Sequence, residues 1–214
     1  MGHDPADLGF DPDRLQRVAD FARAFVDDGR LVGTDVLVAR HGQVVLRSAA
    51  GLADREQAVP VAENSLWRIF SMTKPITSVA VMQLVEEGRL RLRDPLSRFI
   101  PAFAEPRILV GGTADDPETV PAERPIAIVD LLTHTAGIGY SIQNRGPVDE
   151  LHRRAGLDAL GHGGTLVDRI ERLAAIPLLH QPGTRWSYSM ATDVLGRVAE
   201  VIEGRSLGGG LEAR

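Results

Sequence analysis

Four segments of the chain carry apolar residues at the three- and four-residue spacing of an amphipathic helix. Their ends coincide with helix-capping residues, such as Asp11-Pro12 before the first segment and Gly29 after it. The segment that begins at Ser71 is apolar over much of its circumference, which predicts a largely buried helix. The predicted helices cover residues 11–29, 71–87, 166–175 and 189–204.

Two short runs have the composition of β-strands. Thr34–Ala39 and Gln43–Ser48 are rich in aliphatic residues, and the polar Arg40-His41-Gly42 between them predicts a hairpin. The other segments contain more polar residues, glycine and proline. We predict a loop at 51–64, a short helix at 94–100, an exposed loop at 104–125, a short helix at 126–135, and an irregular stretch with one helical turn at 138–164.

A lone hairpin beside about six helices is an unusual sheet, because one face and both strand edges stay unpaired. Residues 207–214 resemble the beginning of a further element. Either the fold is mostly helical or partner strands lie beyond residue 214. We expect the second, and we expect residues 1–214 alone to be poorly stable and inactive.

Composition excludes several classes of function. The 214 residues are 43% apolar and 25% charged, and the net charge of −5 offers no basic surface for nucleic acid. The absence of cysteine excludes disulfides and a thiolate nucleophile. No apolar run approaches the roughly 20 residues of a membrane span, and no signal peptide is visible at the N-terminus. These features predict a cytoplasmic protein, with the periplasm as the alternative, that contacts neither membrane nor nucleic acid.

One lysine occurs among the 24 basic residues, and it lies three residues after a serine, in Ser71-Met-Thr-Lys74-Pro. Arginine essentially never deprotonates, whereas a desolvated lysine does, so Lys74 stands where a guanidinium could not substitute. Ser-x-x-Lys pairs a nucleophile with an amine in one class of acyl-transfer enzymes. The alternative is that Ser71 only caps the helix and Lys74 is a solvated first-turn residue.

Several further motifs occur in order along the chain. They are Leu66-Trp-Arg-Ile-Phe70, Val85-Glu-Glu-Gly88, Leu131-Leu-Thr-His134-Thr-Ala-Gly137, Pro182-Gly-Thr-Arg-Trp186-Ser-Tyr188-Ser and Asp193-Val-Leu-Gly196. With Ser71-x-x-Lys74, they resemble the serine β-lactamase-like family of class C β-lactamases, DD-peptidases and family VIII carboxylesterases.

The resemblance implies a fold of the α/β plus all-α class, the β-lactamase/transpeptidase-like fold, truncated here before its later sheet strands. Residues 1–214 would be the N-terminal portion of one catalytic domain. About 10–60 would form the α/β part, about 65–187 a mainly helical part, and 188–214 a helix and the start of a further element.

The resemblance also implies roles for individual residues. Tyr188 matches the tyrosine of the family's Tyr-x-Asn motif, so it would serve as general base for Ser71 and later as general acid. The alternative for Tyr188 is an ordinary half-buried tyrosine, with Tyr140 as a fallback base. Trp186 and Tyr140 would bind substrate, although plain packing is an equal alternative for Trp186.

Two departures from the family pattern bear on the substrate. Met190 stands where β-lactamases carry asparagine, so Tyr188-Ser-Met-Ala191 resembles the esterase branch. The family's Lys-Thr-Gly motif cannot occur, because Lys74 is the only lysine. His162-Gly163-Gly164 precedes the tyrosine, and we interpret it as a loop. For His134 we predict a structural role at a helix end.

These observations predict a serine hydrolase that cleaves small short-acyl esters through an acyl-enzyme, with Ser71, Lys74 and Tyr188 as catalytic residues. They predict no cofactor and no metal, and they leave the oligomeric state open. The first alternative is β-lactamase or DD-peptidase activity at the same site. The second is a non-catalytic or inactive fragment that retains the fold.

Overall fold

The computed structural model describes residues 4–143, 146–157 and 164–214, so His162 and Gly163 lie outside the described part of the chain. The chain divides into two compact units, Met1–Arg68 and Ile69–Arg214.

The first unit is a helix packed on a small antiparallel sheet. Its helix α1 is Pro12–Asp27, and its sheet has the order β1 (Gly33–Arg40), β2 (Gln43–Asp54), β3 (Val59–Pro60). The Asp11 carboxylate caps α1 by accepting a hydrogen bond from Arg14 N at 3.0 Å. The predicted first helix and hairpin are therefore confirmed.

The predicted loop at 51–64 is wrong, because β2 continues to Asp54 and pairs with β3. Two glycines make this extension possible. Gly51 has a φ of 77°, which a residue with a side chain rarely adopts, and a Cβ at Gly33 would lie 2.5 Å from Leu52 O. The strands approach each other too closely here for any larger residue.

The second unit is mainly helical and contains a β-hairpin. The residues of this unit that the structure describes form six α-helices and two strands, in chain order α2 (Thr73–Glu86), β4 (Arg107–Gly112), β5 (Pro117–Pro121), α3 (Ile128–Leu132), α4 (Pro147–Arg154), α5 (Leu166–Ala174), α6 (Ala191–Glu203) and α7 (Leu207–Glu212). The predicted helices at 166–175 and 189–204 are confirmed by α5 and α6. The core of this unit surrounds α6, whose Val194, Leu195 and Val198 are fully buried.

Two segments of this unit differ from prediction. The β4–β5 hairpin occupies the predicted loop at 104–125, and α4 is a full helix within the stretch predicted to be irregular. The hairpin depends on a distant partner, since Leu178 N donates to Arg107 O at 2.7 Å and Leu109 N donates to Leu178 O at 2.9 Å. The expectation of a lone hairpin is therefore wrong.

The helix predicted at 71–87 forms, but it is not largely buried. One side of α2 packs against α6 through buried Thr77, Val81 and Leu84. On other sides Ile76 and Val79 remain 47% and 59% exposed. Within the described residues, no helix is long and apolar enough to cross a membrane.

Candidate active site

Ser71 lies in a short turn that leads directly into α2. The turn is a 3-10 helix, Phe70–Met72, and Phe70 has a φ of 44°. A bulky residue rarely adopts this left-handed conformation, which costs on the order of 1–3 kcal/mol and is concentrated at functional sites. The turn leaves Ser71 exposed at the N-terminal end of α2, where free N–H groups and the positive end of the helix dipole lie.

Lys74 is the second residue of α2 and is half-buried. Ser71 itself belongs to the preceding turn and not to the α-helix, which corrects the predicted start of the helix by two residues. Pro75 follows within the first turn, where a missing N–H costs no hydrogen bond.

Tyr188 lies against both of these residues, although it is 117 positions away from Ser71. Its phenol oxygen donates a hydrogen bond to Ser71 Oγ at 2.7 Å. Lys74 Nζ lies over the Tyr188 ring, 4.8 Å from its centroid. The structure thus brings together the three side chains that the sequence predicts to be catalytic.

The surroundings of Tyr188 favour its phenolate form. Burial raises the pKa of Tyr188, but its hydrogen bonds with Ser71 and Lys74 and the positive charge of Lys74 outweigh burial, so this pKa lies below its usual value. A phenolate beside Ser71 Oγ can accept the hydroxyl proton once the hydrogen bond between the two oxygens reverses.

The segment that carries Tyr188 is held by backbone contacts. A tight turn precedes it, in which Thr184 Oγ1 donates to Gln181 O at 2.7 Å. Gly183 N donates to Thr135 O at 2.8 Å, and Gln143 Nε2 donates to the carbonyl oxygen of Tyr188 itself at 2.7 Å. These contacts fix the backbone from which the phenol reaches Ser71.

A cavity of about 280 Å³ adjoins Ser71 and Lys74. Its walls combine two of the three catalytic candidates, Ser71 and Lys74, with apolar and hydroxyl side chains and one acidic residue. They are Phe70, Ser71, Thr73, Lys74, Thr77, Tyr140, Leu166, Thr192, Asp193 and Leu207.

The two predicted substrate-binding residues occupy different positions. Tyr140 lines this cavity, and its ring centroid lies 5.8 Å from that of Tyr188. Trp186 is 63% exposed and lies 6.4 Å from Tyr188 by the same measure, outside the set of cavity-lining residues. Both therefore remain candidates for substrate contact, Tyr140 within the cavity and Trp186 outside it.

His134 follows α3 and contacts the tyrosine segment without contacting the serine nucleophile. Its Nδ1 bonds to Ser189 Oγ at 3.1 Å, and its ring centroid lies 5.0 Å from that of Tyr188. Burial and the charge of Lys74 lower the pKa of His134, which favours the neutral imidazole. This geometry agrees with the structural role predicted for it.

A protein-family model matches most of the chain. The model described as Beta-lactamase matches residues 18–213. The chain belongs to the beta-lactamase family.

Two proteins that carry the names of esterases resemble this member of the beta-lactamase family. Esterase EstB of Burkholderia gladioli is 41% identical over 202 residues, which cover 94% of this chain and 47% of EstB. Lovastatin esterase of Penicillium rubens is 33% identical over 190 residues, covering 86% of this chain and 46% of the relative. The chain thus spans about half the length of the curated relatives it matches.

A solved structure agrees with the family assignment. EstCE1, described as a hydrolase with promiscuous acyltransferase activity, superposes with a TM-score of 0.78 at 35% sequence identity. The match covers 93% of this chain and 49% of EstCE1. The fold is accordingly the β-lactamase/transpeptidase-like fold.

The sequence pattern pointed to Met190 as a residue that bears on the substrate, but it did not point to Asp193 as part of the site. Met190 is 2% exposed, so its side chain packs in the core and supplies no polar group to the cavity. Asp193 entered the sequence analysis only as part of a motif, yet its carboxylate lines the same cavity as Lys74. Burial raises the pKa of Asp193, and the charges of Lys74 and Arg169 oppose that effect. The sequence alone did not single out Asp193, since acidic residues are common in the first turn of helices.

Proposed function

We propose that the protein is a serine hydrolase that cleaves short-acyl carboxylic esters through an acyl-enzyme on Ser71. The observation that carries this proposal is the 2.7 Å contact between Tyr188 and Ser71 Oγ, with Lys74 Nζ 4.8 Å from the tyrosine ring. This arrangement combines a nucleophile (Ser71), a base (Tyr188) and a cation (Lys74) that lowers the pKa of the base. The names of EstB, EstCE1 and lovastatin esterase support ester chemistry.

The proposed first half-reaction forms the acyl-enzyme. Ser71 Oγ attacks the ester carbonyl carbon while the Tyr188 phenolate takes the serine proton. The negative charge that develops on the carbonyl oxygen is stabilised by the N–H of Ser71, in the turn that leads into α2, and by the positive end of the α2 dipole. Tyr188 then returns the proton to the departing alkoxide, and the acyl group stays on Ser71.

The second half-reaction releases the acid. Tyr188, again a phenolate, takes a proton from a water molecule that attacks the acyl carbonyl carbon. When the tetrahedral intermediate collapses, the Ser71 oxygen leaves and recovers its proton from Tyr188. In both half-reactions the positive charge of Lys74 keeps the pKa of Tyr188 below its usual value.

Mass spectrometry can test the covalent step directly. The natural gene product that contains these residues is incubated with a fluorophosphonate probe, and the labelled peptide is identified. We expect stoichiometric labelling at Ser71, together with hydrolysis of 4-nitrophenyl acetate and butyrate. No labelling at Ser71 and no ester turnover would favour the non-catalytic alternative.

The same preparation separates esters from β-lactams. The buried Met190 offers no amide to a β-lactam side chain, so we expect esters to be hydrolysed faster than a chromogenic cephalosporin. Faster turnover of the cephalosporin would assign the site to β-lactamase chemistry.

Replacing Asp193 by asparagine is expected to shift the pH profile. Tyr188 acts as a base only when deprotonated, so kcat/KM falls as the pH decreases through the pKa of Tyr188. The negative charge of Asp193 raises that pKa, and its removal therefore lowers it. The acid limb of the kcat/KM profile should move to lower pH in Asp193→Asn.

The matched control is Asp116→Asn, which changes an exposed aspartate in the β4–β5 turn. Its profile should coincide with that of the unmodified protein. An acid limb that stays in place or moves to higher pH in Asp193→Asn would contradict the proposed charge balance.

A further inference from the structure

We propose that His134 is a positioning residue that holds the Tyr188 phenol against Ser71. The inference rests on the proposed function and adds a residue outside the three catalytic groups. His134 would touch neither substrate nor the reacting atoms, and it would act entirely through the segment that carries Tyr188.

The first support is that His134 holds the residues on both sides of Tyr188. Its carbonyl oxygen accepts a hydrogen bond from Ser187 N at 2.8 Å, and its Nδ1 bonds to Ser189 Oγ at 3.1 Å. The imidazole ring lies between these contacts, 5.0 Å from the Tyr188 ring. A displacement of His134 would therefore move the tyrosine backbone and ring together.

The second support is the backbone of His134, which has a φ of 56°. Few residues other than glycine adopt this left-handed conformation, and histidine, asparagine and aspartate do so most often. Hydrogen bonds on both sides maintain it, from His134 N to Leu131 O at 3.3 Å and from Thr135 N to Asp130 O at 2.8 Å. The left-handed turn lets one residue present both its carbonyl oxygen and its side chain to the tyrosine segment.

The third support is a chain of hydrogen bonds that orients the imidazole. Ser189 Oγ accepts a hydrogen bond from Ala191 N, the first residue of α6, at 3.3 Å. Its hydroxyl hydrogen is then available to His134 Nδ1, which fits a neutral imidazole protonated on Nε2. Ser189 is 1% exposed, so this arrangement is protected from water. These hydrogen bonds connect the end of α3 to the start of α6 on either side of Tyr188.

A second histidine shows what purely local anchoring looks like. His180 Nε2 bonds to Ser187 Oγ at 3.1 Å, and its Nδ1 lies 3.0 Å from Gln181 O. Both partners lie within seven residues of His180 along the chain, so this histidine ties Ser187 only to residues that are close to it in sequence. His134 instead ties the tyrosine segment to a different element, α3.

The test measures His134→Asn in the natural gene product. Asparagine tolerates the left-handed backbone. Its Oδ1 has the reach of histidine Nδ1 and can accept from Ser189, but asparagine lacks the imidazole ring that lies 5.0 Å from the Tyr188 ring. A misplacement of about 1 Å at a reacting group costs about a hundredfold in rate. We expect kcat for a short ester to fall about 10- to 100-fold in His134→Asn, with KM nearly unchanged. In Ser189→Ala we expect a smaller decrease in kcat. His41→Asn, the same substitution at an exposed left-handed residue of the β1–β2 turn, should leave both constants unchanged.

A double-mutant comparison distinguishes positioning from general stability. If His134 acts through Tyr188, His134→Asn should slow fluorophosphonate labelling in the unmodified background but not further in Tyr188→Phe. An equal slowing in both backgrounds, or unchanged kcat in His134→Asn and Ser189→Ala, would overturn the inference. Failure of the proposed function has a different signature, namely full ester hydrolysis by Ser71→Ala and Tyr188→Phe.

Discussion

Replacing Ser71 by alanine is expected to lower kcat/KM for short nitrophenyl esters by about a thousandfold or more. The substitution removes the only atom proposed to form a bond with substrate, and nucleophile losses in serine hydrolases are of this order or larger. Fluorophosphonate labelling should disappear with the hydrolysis. Because Ser71 is exposed, the melting temperature should change little.

The matched control is Ser78→Ala, which makes the same change seven residues later in α2. Its ester hydrolysis and labelling should equal those of the unmodified protein. Retention of hydrolysis by Ser71→Ala would remove this serine as nucleophile, and with it the proposed acyl-enzyme.

The proposed catalytic residues could be picked out from the sequence because their signals are local. The lone Lys74 three residues after Ser71, and Tyr188 within a motif that follows a tight turn, are visible without any knowledge of the fold. The structure adds the contact that joins them, a 2.7 Å hydrogen bond across 117 positions. Spacing alone could not supply that distance.

The structural features that the sequence did not reveal depend on contacts between distant residues or on strained backbone conformations. The β4–β5 hairpin pairs with the backbone of Leu178, and local composition had suggested a loop there. The left-handed backbones of Phe70 and His134 are imposed by their surroundings, because neither residue favours them as glycine would. Asp193 carries an ordinary helix-start signal, so only the cavity it shares with Lys74 marks it as part of the site.

The burial of α2 also differs from the prediction. Its all-round apolar sequence predicts a buried helix, yet Val79 is 59% exposed while Val81 is fully buried. The periodicity of apolar residues indicates which faces of a helix can be buried. Whether a face is buried depends on whether another element packs against it. Here α6 packs against one side only.

Replacing Tyr188 by phenylalanine is expected to lower kcat about 10²- to 10⁴-fold, the usual contribution of general acid–base catalysis. Phenylalanine keeps the ring that contacts His134 and Tyr140 and loses only the hydroxyl bonded to Ser71. The free energy of unfolding should therefore change by only about 1 kcal/mol. Steady-state kinetics with a short ester, beside urea unfolding, would separate the two effects. Tyr140→Phe, the same change at the other tyrosine of the chain, should lower kcat far less.

The pH profile of Tyr188→Phe decides which residue is the base. If the Tyr188 phenolate takes the Ser71 proton, the acid limb of kcat/KM reports the tyrosine pKa and should vanish in the variant. If a neutral Lys74 were the base, the limb would survive, since the ammonium would still have to lose its proton first. Persistence of the same limb at reduced rate would transfer the base role to Lys74 and leave Tyr188 as a hydrogen-bonding partner of Ser71. The lowered pKa of Tyr188 beside the Lys74 charge favours the first outcome.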